Sequence, residues 1–209
     1  MKKFILLILI FLFAFSAKTV SATTSCLAQT CTDNFNDNFS SWTDNGSVQV
    51  ETHFKGSDIN SVKLSDTTNT SPNGILRQTF SNLIIGAKYK ITVKAGVFTS
   101  GASPDGTVYL TAVSDTNSQT TNCTSCAASG SSIGGSLTIS DFEAKIDSIT
   151  VTIEGDQGGC DTSGGCHDPY VDDFSLTKTA DPVVVNTDSA TCGSLSVNSG
   201  NTIYTGQVY

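Results

Sequence analysis

The chain has 209 residues and a formal charge of −8, with 14% charged and 8% aromatic residues. So acidic a balance argues against nucleic acid or an anionic membrane as partner, because phosphate contacts are made by clustered Lys and Arg. The length is ample for one buried core, and the abundance of Ser, Thr, Asn and Gly suits an exported β protein.

The chain opens with Met1-Lys2-Lys3, an unbroken apolar run over residues 4–15, and the small-residue stretch Val20-Ser21-Ala22. This is the three-part layout of a secretory signal peptide, expected to span residues 1–22. The run is shorter than the roughly 20 residues a membrane helix needs, and no other stretch could span a membrane. Loss of Lys2, Lys3 and Lys18 with the leader would leave a mature chain near −11.

Export changes the reading of the seven cysteines. In an oxidising compartment they are expected in disulfides rather than metal or redox centres. The spacings predict three local bridges, Cys26–Cys31, Cys123–Cys126 and Cys160–Cys166, with Cys192 left over. Cys123-Thr124-Ser125-Cys126 lies in a Ser/Thr/Asn-rich stretch, not at a helix start where a thiol would be activated.

Helical periodicity is nearly absent, and short alternating segments recur between turn residues. Strands are predicted over 46–55, 62–64, 75–81, 89–97, 107–114, 136–140, 146–154 and 170–177. The segment from Tyr89 to Val97 is the cleanest, with Tyr, Ile, Val and Ala inward and Lys and Thr outward. Residues 115–135 and 155–168 read as two long polar insertions. The fold class predicted is all-β, an antiparallel sandwich of about eight strands. After Lys178 the composition changes, and residues 179–209 read as a linker followed by a short β-like segment, the start of a second, incomplete β domain.

The last predicted strand, Tyr170-Val171-Asp172-Asp173-Phe174-Ser175-Leu176-Thr177, carries two adjacent carboxylates. Strict alternation puts Tyr170, Asp172, Phe174 and Leu176 on one face. Phe174 and Leu176 require a core, so Asp172 is expected on the core side. A carboxylate there must be paired, hydrogen-bonded or bound to a cation.

Taken in order, Asp33-Asn34-Phe35-Asn36-Asp37-Asn38-Phe39-Ser40-Ser41-Trp42, Ser61-Val62-Lys63-Leu64, Leu76-Arg77-Gln78-Thr79-Phe80, the stretch 83–91, Ile149-Thr150-Val151-Thr152-Ile153 and the strand of Asp172 form a pattern. Over residues 30–178 it resembles the galactose-binding-like jelly rolls, particularly carbohydrate-binding modules of the CBM4/9/22 type. The resemblance implies a structural calcium site, with Asp172 as the firmest ligand and Asp33 and Asp37 as partners, since calcium takes six to eight oxygens. It also implies a glycan site, which needs an aromatic face together with hydrogen-bonding groups. Trp42 matches a core position. Among Tyr109, Phe98, Phe54 and Tyr170, the best platform is Tyr109, because Val108, Leu110 and Ala112 can fill the core from the other face. Arg77, Gln78 and Asn82 could supply hydrogen bonds.

The chain is not expected to be an enzyme. Its two histidines, His53 and His167, accompany no nucleophile-elbow serine, and no phosphate loop or dinucleotide fingerprint is present. Two function classes remain. One is a secreted or cell-surface binding module, carbohydrate-binding and part of a larger surface protein. The other is a structural or adhesive module of a pilus-associated or adhesin-like protein without a sugar ligand. For the second, the tail around Cys192-Gly193-Ser194-Leu195 resembles the segment C-terminal to sugar-binding-like domains in pilus-biogenesis proteins of the mannose-sensitive haemagglutinin type.

Overall fold

The structure is a computed structural model and describes residues 23–25, 30–52, 60–65, 73–98, 106–124, 126–129, 132–156 and 168–183. The expected leader, Cys26, His53, Phe54, Cys160, Cys166, His167, Cys192 and the second β segment lie outside the described residues.

The described elements are all strands: β1 (Thr23–Ser25), β2 (Thr30–Asp33), β3 (Thr43–Asp44), β4 (Gln49–Glu51), β5 (Ser61–Lys63), β6 (Gly74–Ser81), β7 (Lys88–Phe98), β8 (Thr107–Ser114), β9 (Asn117–Cys123), β10 (Ala127–Ser129), β11 (Ser132–Ile133), β12 (Gly135–Glu143), β13 (Ser148–Asp156) and β14 (Asp168–Ala180). They form two sheets, which do not close into a barrel. The first runs β1-β6-β13-β8-β9, with β3 also on β6; the second runs β11-β10-β7-β14-β5-β4, with β12 on β7 and β2 on β14. Pairing is antiparallel except for β1 on β6 and β10 on β7.

Alternation decides which side of each strand is buried. Along β7, Tyr89, Ile91, Val93, Ala95 and Val97 enter the core; along β13, Ile149, Val151 and Ile153 do so from the facing sheet. Val108, Leu110 and Ala112 of β8 are fully buried, as the pattern requires. Each inward row meets the other sheet across one continuous apolar layer, which is the ordinary construction of a sandwich.

Two expectations are corrected. The stretch 115–135, expected as an insertion, supplies β9, β10 and β11. β9 is an edge strand of sequence NSQTTNC with few buried positions, so it leaves no hydrophobic alternation to detect. The Cys123–Cys126 disulfide is present. It ties the end of β9 in the first sheet to the entry of β10 in the second, where Val97 N–H bonds the Cys126 carbonyl at 2.6 Å. Gly135 is required beside it, because a Cβ there would meet Cys126 Cβ at 2.5 Å. Cys31 is also disulfide-bonded.

The second correction concerns β14. Its pairing with β7 shifts between Asp172 and Ser175, and Asp173 sits at φ 47°. This is a β-bulge, one extra residue that reverses which side chains face inward. Before it Val171 joins the main core, and after it Phe174 and Leu176 do. Tyr170 instead packs with Ile133 and Phe98 in a separate cluster, so it does not share the face of Phe174 and Leu176. Tyr170 and Phe98 are thereby removed as surface platforms.

Burial raises the Tyr170 phenol above its ordinary value, helped by the neighbouring charges of Asp168 and Glu51. Burial also raises Tyr89, against the opposing effects of a hydrogen bond from Ile84 N–H and of Lys178. An acid whose folded pKa is raised keeps its full stabilising effect below the unfolded pKa. Above it, only the unfolded chain ionises, and stability is lost. Stability is therefore expected to fall as pH rises above about 10. Ultraviolet phenolate titration should find Tyr170 ionising only on unfolding and Tyr89 ionising later than an exposed tyrosine; smooth titration of all tyrosines in the folded protein would contradict this.

Candidate functional site

The outer face of the first sheet is built by the residues that alternate with its core. Register places them in rows, and residues directly opposite share a face. One row reads Thr43, Arg77, Thr152, Thr111 and Thr120 across β3, β6, β13, β8 and β9. The next reads Ile75, Glu154, Tyr109 and Asn122. On the other side lie Thr79, Thr150, Val113 and Ser118. The rows are laced by hydroxyl contacts, Thr79 to Thr150 at 3.0 Å and Thr111 to Thr120 at 3.0 Å.

The result is a broad surface of hydroxyls with Tyr109 on it, flanked by Glu154 on one side and Asn122 on the other. Asn73 Nδ2 donates to Glu154 Oε1 at 2.9 Å, which orients that carboxylate. Arg77 is exposed, and its Nε donates to Thr152 Oγ1 at 3.3 Å. Such a face offers a ring for stacking and many donors and acceptors around it.

The structure thus brings Arg77 and Tyr109 onto one face, but not Gln78. Gln78 is 1% exposed and lies between Leu76 and Phe80 on the inward side of β6. Its position was legible in the alternation Leu76-x-Gln78-x-Phe80. Glu154, Asn122 and the threonine rows were missed, because they become neighbours of Tyr109 only through strand register. Asn82 is a left-handed turn residue at φ 59°, bonded to Ser25.

Asp33, Asp37 and Asp173 line a cleft of about 790 Å³, together with Ser41, Gln78 and Phe174. Asp33 Oδ1 accepts Phe35 N–H at 2.8 Å, and its Oδ2 accepts Ser41 Oγ at 2.8 Å and Trp42 Nε1 at 2.9 Å. Asp37 is exposed and accepts from Ser40 at 2.6 Å. Asp173 pairs with Lys94 at 2.7 Å. Asp172 is wholly buried, and its Oδ1 accepts Asp173 N–H at 2.8 Å. Among the described residues, no group of three His, Cys, Asp or Glu side chains is placed to hold a metal ion. Of the three expected ligands, Asp172 alone has the burial that demands a compensating partner.

No known family matches the chain, and no curated protein resembles it in sequence. Solved structures do resemble it. TmCBM61, described in complex with β-1,4-galactotriose, superposes with a TM-score of 0.51 at 14% identity, covering 70% of this chain and 94% of that one. The C-terminal family 22 carbohydrate-binding module of Clostridium thermocellum Xyn10B matches with a TM-score of 0.44 at 14% identity, over 74% of this chain and 95% of that one. The chain shares the jelly-roll β-sandwich fold of TmCBM61. In this jelly roll the face bearing Tyr109 belongs to the six-stranded sheet, and the cleft of Asp33 and Asp37 lies along β2 and β14, beside Gln78 and Phe80 of β6. No helix among the described residues is long and apolar enough to cross a membrane.

Proposed function

We propose that the chain is an exported, non-catalytic carbohydrate-binding module that holds a glycan on the outer face of its six-stranded sheet. The observation that carries this reading is the placement of Tyr109 on a hydroxyl-covered strand surface, between Glu154 and Asn122 and with Arg77 on the adjacent row. An aromatic face takes the C–H side of a sugar, and the surrounding groups take its hydroxyls. The oligosaccharide bound to TmCBM61 supports the same class of partner. Binding to a panel of soluble polysaccharides and oligosaccharides is expected to be saturable, and Tyr109→Ala is expected to weaken it by at least about tenfold. Isothermal titration reads this directly. Silence across the panel would leave the structural or adhesive module as the better reading.

We also propose that Asp172 ligates a structural calcium ion. Calcium would neutralise a carboxylate withdrawn from water and accept main-chain carbonyls as its other ligands. A chelator is then expected to lower the melting temperature by several degrees, the effect of removing a ligand held well above its Kd. Asp172→Asn should abolish the chelator's effect. A melting curve unmoved by chelation would remove calcium from this protein.

A further inference from the structure

Among the described residues, the strands of the face bearing Tyr109 carry one positive charge. Arg77 is the only arginine of the chain and the only basic residue in the strands of the six-stranded sheet. Four of the six described lysines behave differently, whereas Lys88 and Lys90 of the other sheet are, like Arg77, in no ion pair among the described residues. Lys63, Lys94, Lys145 and Lys178 are each in an ion pair, with Asp168, Asp173, Glu143 and Asp181. Arg77 has no such pairing: its Nε is spent on Thr152 Oγ1, and no described carboxylate lies within ion-pair distance of its guanidinium. Glu154 stands on the neighbouring row, opposite Ile75, and is engaged by Asn73. Asp44 pairs in register with Leu76, one residue off the row of Arg77, and accepts Gly46 N–H at 2.6 Å.

Resting on the sugar-binding reading above, we propose that this site selects a glycan bearing a carboxylate, a uronic or other sugar acid, and that Arg77 is the residue that reads it. The guanidinium edge is planar, always charged and matched to a carboxylate by two parallel hydrogen bonds. Thr152 fixes the Nε side and leaves the outer edge of the fork directed to solvent. Two strand spacings and a two-residue rise separate Arg77 from Tyr109, about 12 Å between Cα atoms. A short oligosaccharide can therefore stack on Tyr109 and present an acid group from a neighbouring unit to Arg77. Charges beyond about 8 Å are screened at physiological salt; the one nearer carboxylate on this face, Glu154, is held by Asn73, and the contact with Arg77 is direct. The ligand is thus a sparsely charged acidic glycan, not a dense polyanion.

The test compares oligogalacturonides, sialyllactose and glucuronoxylan oligosaccharides with their carboxyl-methylated or carboxyl-reduced counterparts by isothermal titration, with a sulfated galactan oligosaccharide as a further arm. At least one acid is expected to bind about ten- to a hundredfold more tightly than its neutral counterpart, the range of a charge-assisted pair. Arg77→Gln should erase that ratio, whatever it does to the neutral counterpart's own affinity, and Arg77→Lys should retain part of it. Arg77 is exposed, so these variants are expected to fold as the parent does. Equal binding of acid and neutral forms, a ratio that survives Arg77→Gln, or binding of the sulfated oligosaccharide alone would overturn the inference. Tyr109-dependent binding of neutral glycans without acid preference sinks the inference but keeps the module. Absence of binding to every arm sinks both.

Discussion

Phe174→Ala is expected to destabilise the domain by about 3–5 kcal/mol, the range for removing a buried aromatic ring from a packed core. The ring is 1% exposed. It stacks on Phe80 of the opposite sheet with centroids 5.1 Å apart and planes 14° from parallel. It also meets Trp42 edge-on, at 5.1 Å and 83°. Trp42 in turn contacts Phe80 at 6.1 Å and Phe35 at 5.7 Å. Phe174 thus joins β14, β6 and the turn after β2, and its removal opens a void at the meeting point of both sheets. Aromatic pairs add about 0.5–1.5 kcal/mol beyond the area they bury. Urea unfolding should show the loss as a shift in midpoint, and the melting temperature should fall by roughly 10 °C or more. Ile84→Ala, at a position 43% exposed, is the contrasting substitution and should move stability by less than about 0.5 kcal/mol. A Phe174→Ala loss as small as that of Ile84→Ala would mean that the aromatic cluster does not hold the sheets together.

Asp33→Ala is expected to cost about 2–4 kcal/mol, because one carboxylate answers three donors and its loss leaves a buried indole N–H without an acceptor. The sequence Asp33-Asn34-Phe35 makes this possible locally. Asp33 Oδ1 takes the N–H two residues on, and this bond helps hold Phe35 at φ 55°, a left-handed conformation that a bulky side chain rarely adopts. With Phe35 so turned, its ring is fully buried beside Trp42. The other carboxylate oxygen then accepts the Trp42 indole and the Ser41 hydroxyl. Asp33→Asn should be milder, because an amide keeps one acceptor oxygen but loses the charge. Denaturant unfolding measures the order parent, Asn, Ala, and near-ultraviolet dichroism reports the freed indole. An Asp33→Ala variant as stable as the parent, with unchanged Trp42 dichroism, would show that this carboxylate has another task.

The two effects differ in what made them visible. The burial of Trp42 was legible through the resemblance, in which it matches a core position. Its bond to Asp33 was not, because which donors a carboxylate meets depends on how the turn between them folds. The strand of Asp172 teaches the same lesson. Alternation correctly directed Phe174 and Leu176 inward, yet it placed Tyr170 and Asp172 on their face; Asp172 is buried, but opposite Lys94 on the other face of the sheet. The bulge at Asp173 breaks that parity. Bulges carry no period, so no reading of a single strand would find this one.

What the sequence determined by itself is the set of strands that line the core and the side each one buries, because the period of a strand is two and Tyr89 to Val97, Val108 to Ala112 and Ile149 to Ile153 keep it. That period also sends Arg77 and Tyr109 outward, and it could have sent Gln78 inward. The tertiary structure alone decided that Arg77 and Tyr109 share one sheet, with Glu154 and Asn122 beside Tyr109. Those residues come from strands distant in the chain, and only hydrogen-bond register between β6, β13, β8 and β9 makes them neighbours. A binding face is a property of register, and register is set by cross-strand pairing that no single segment contains.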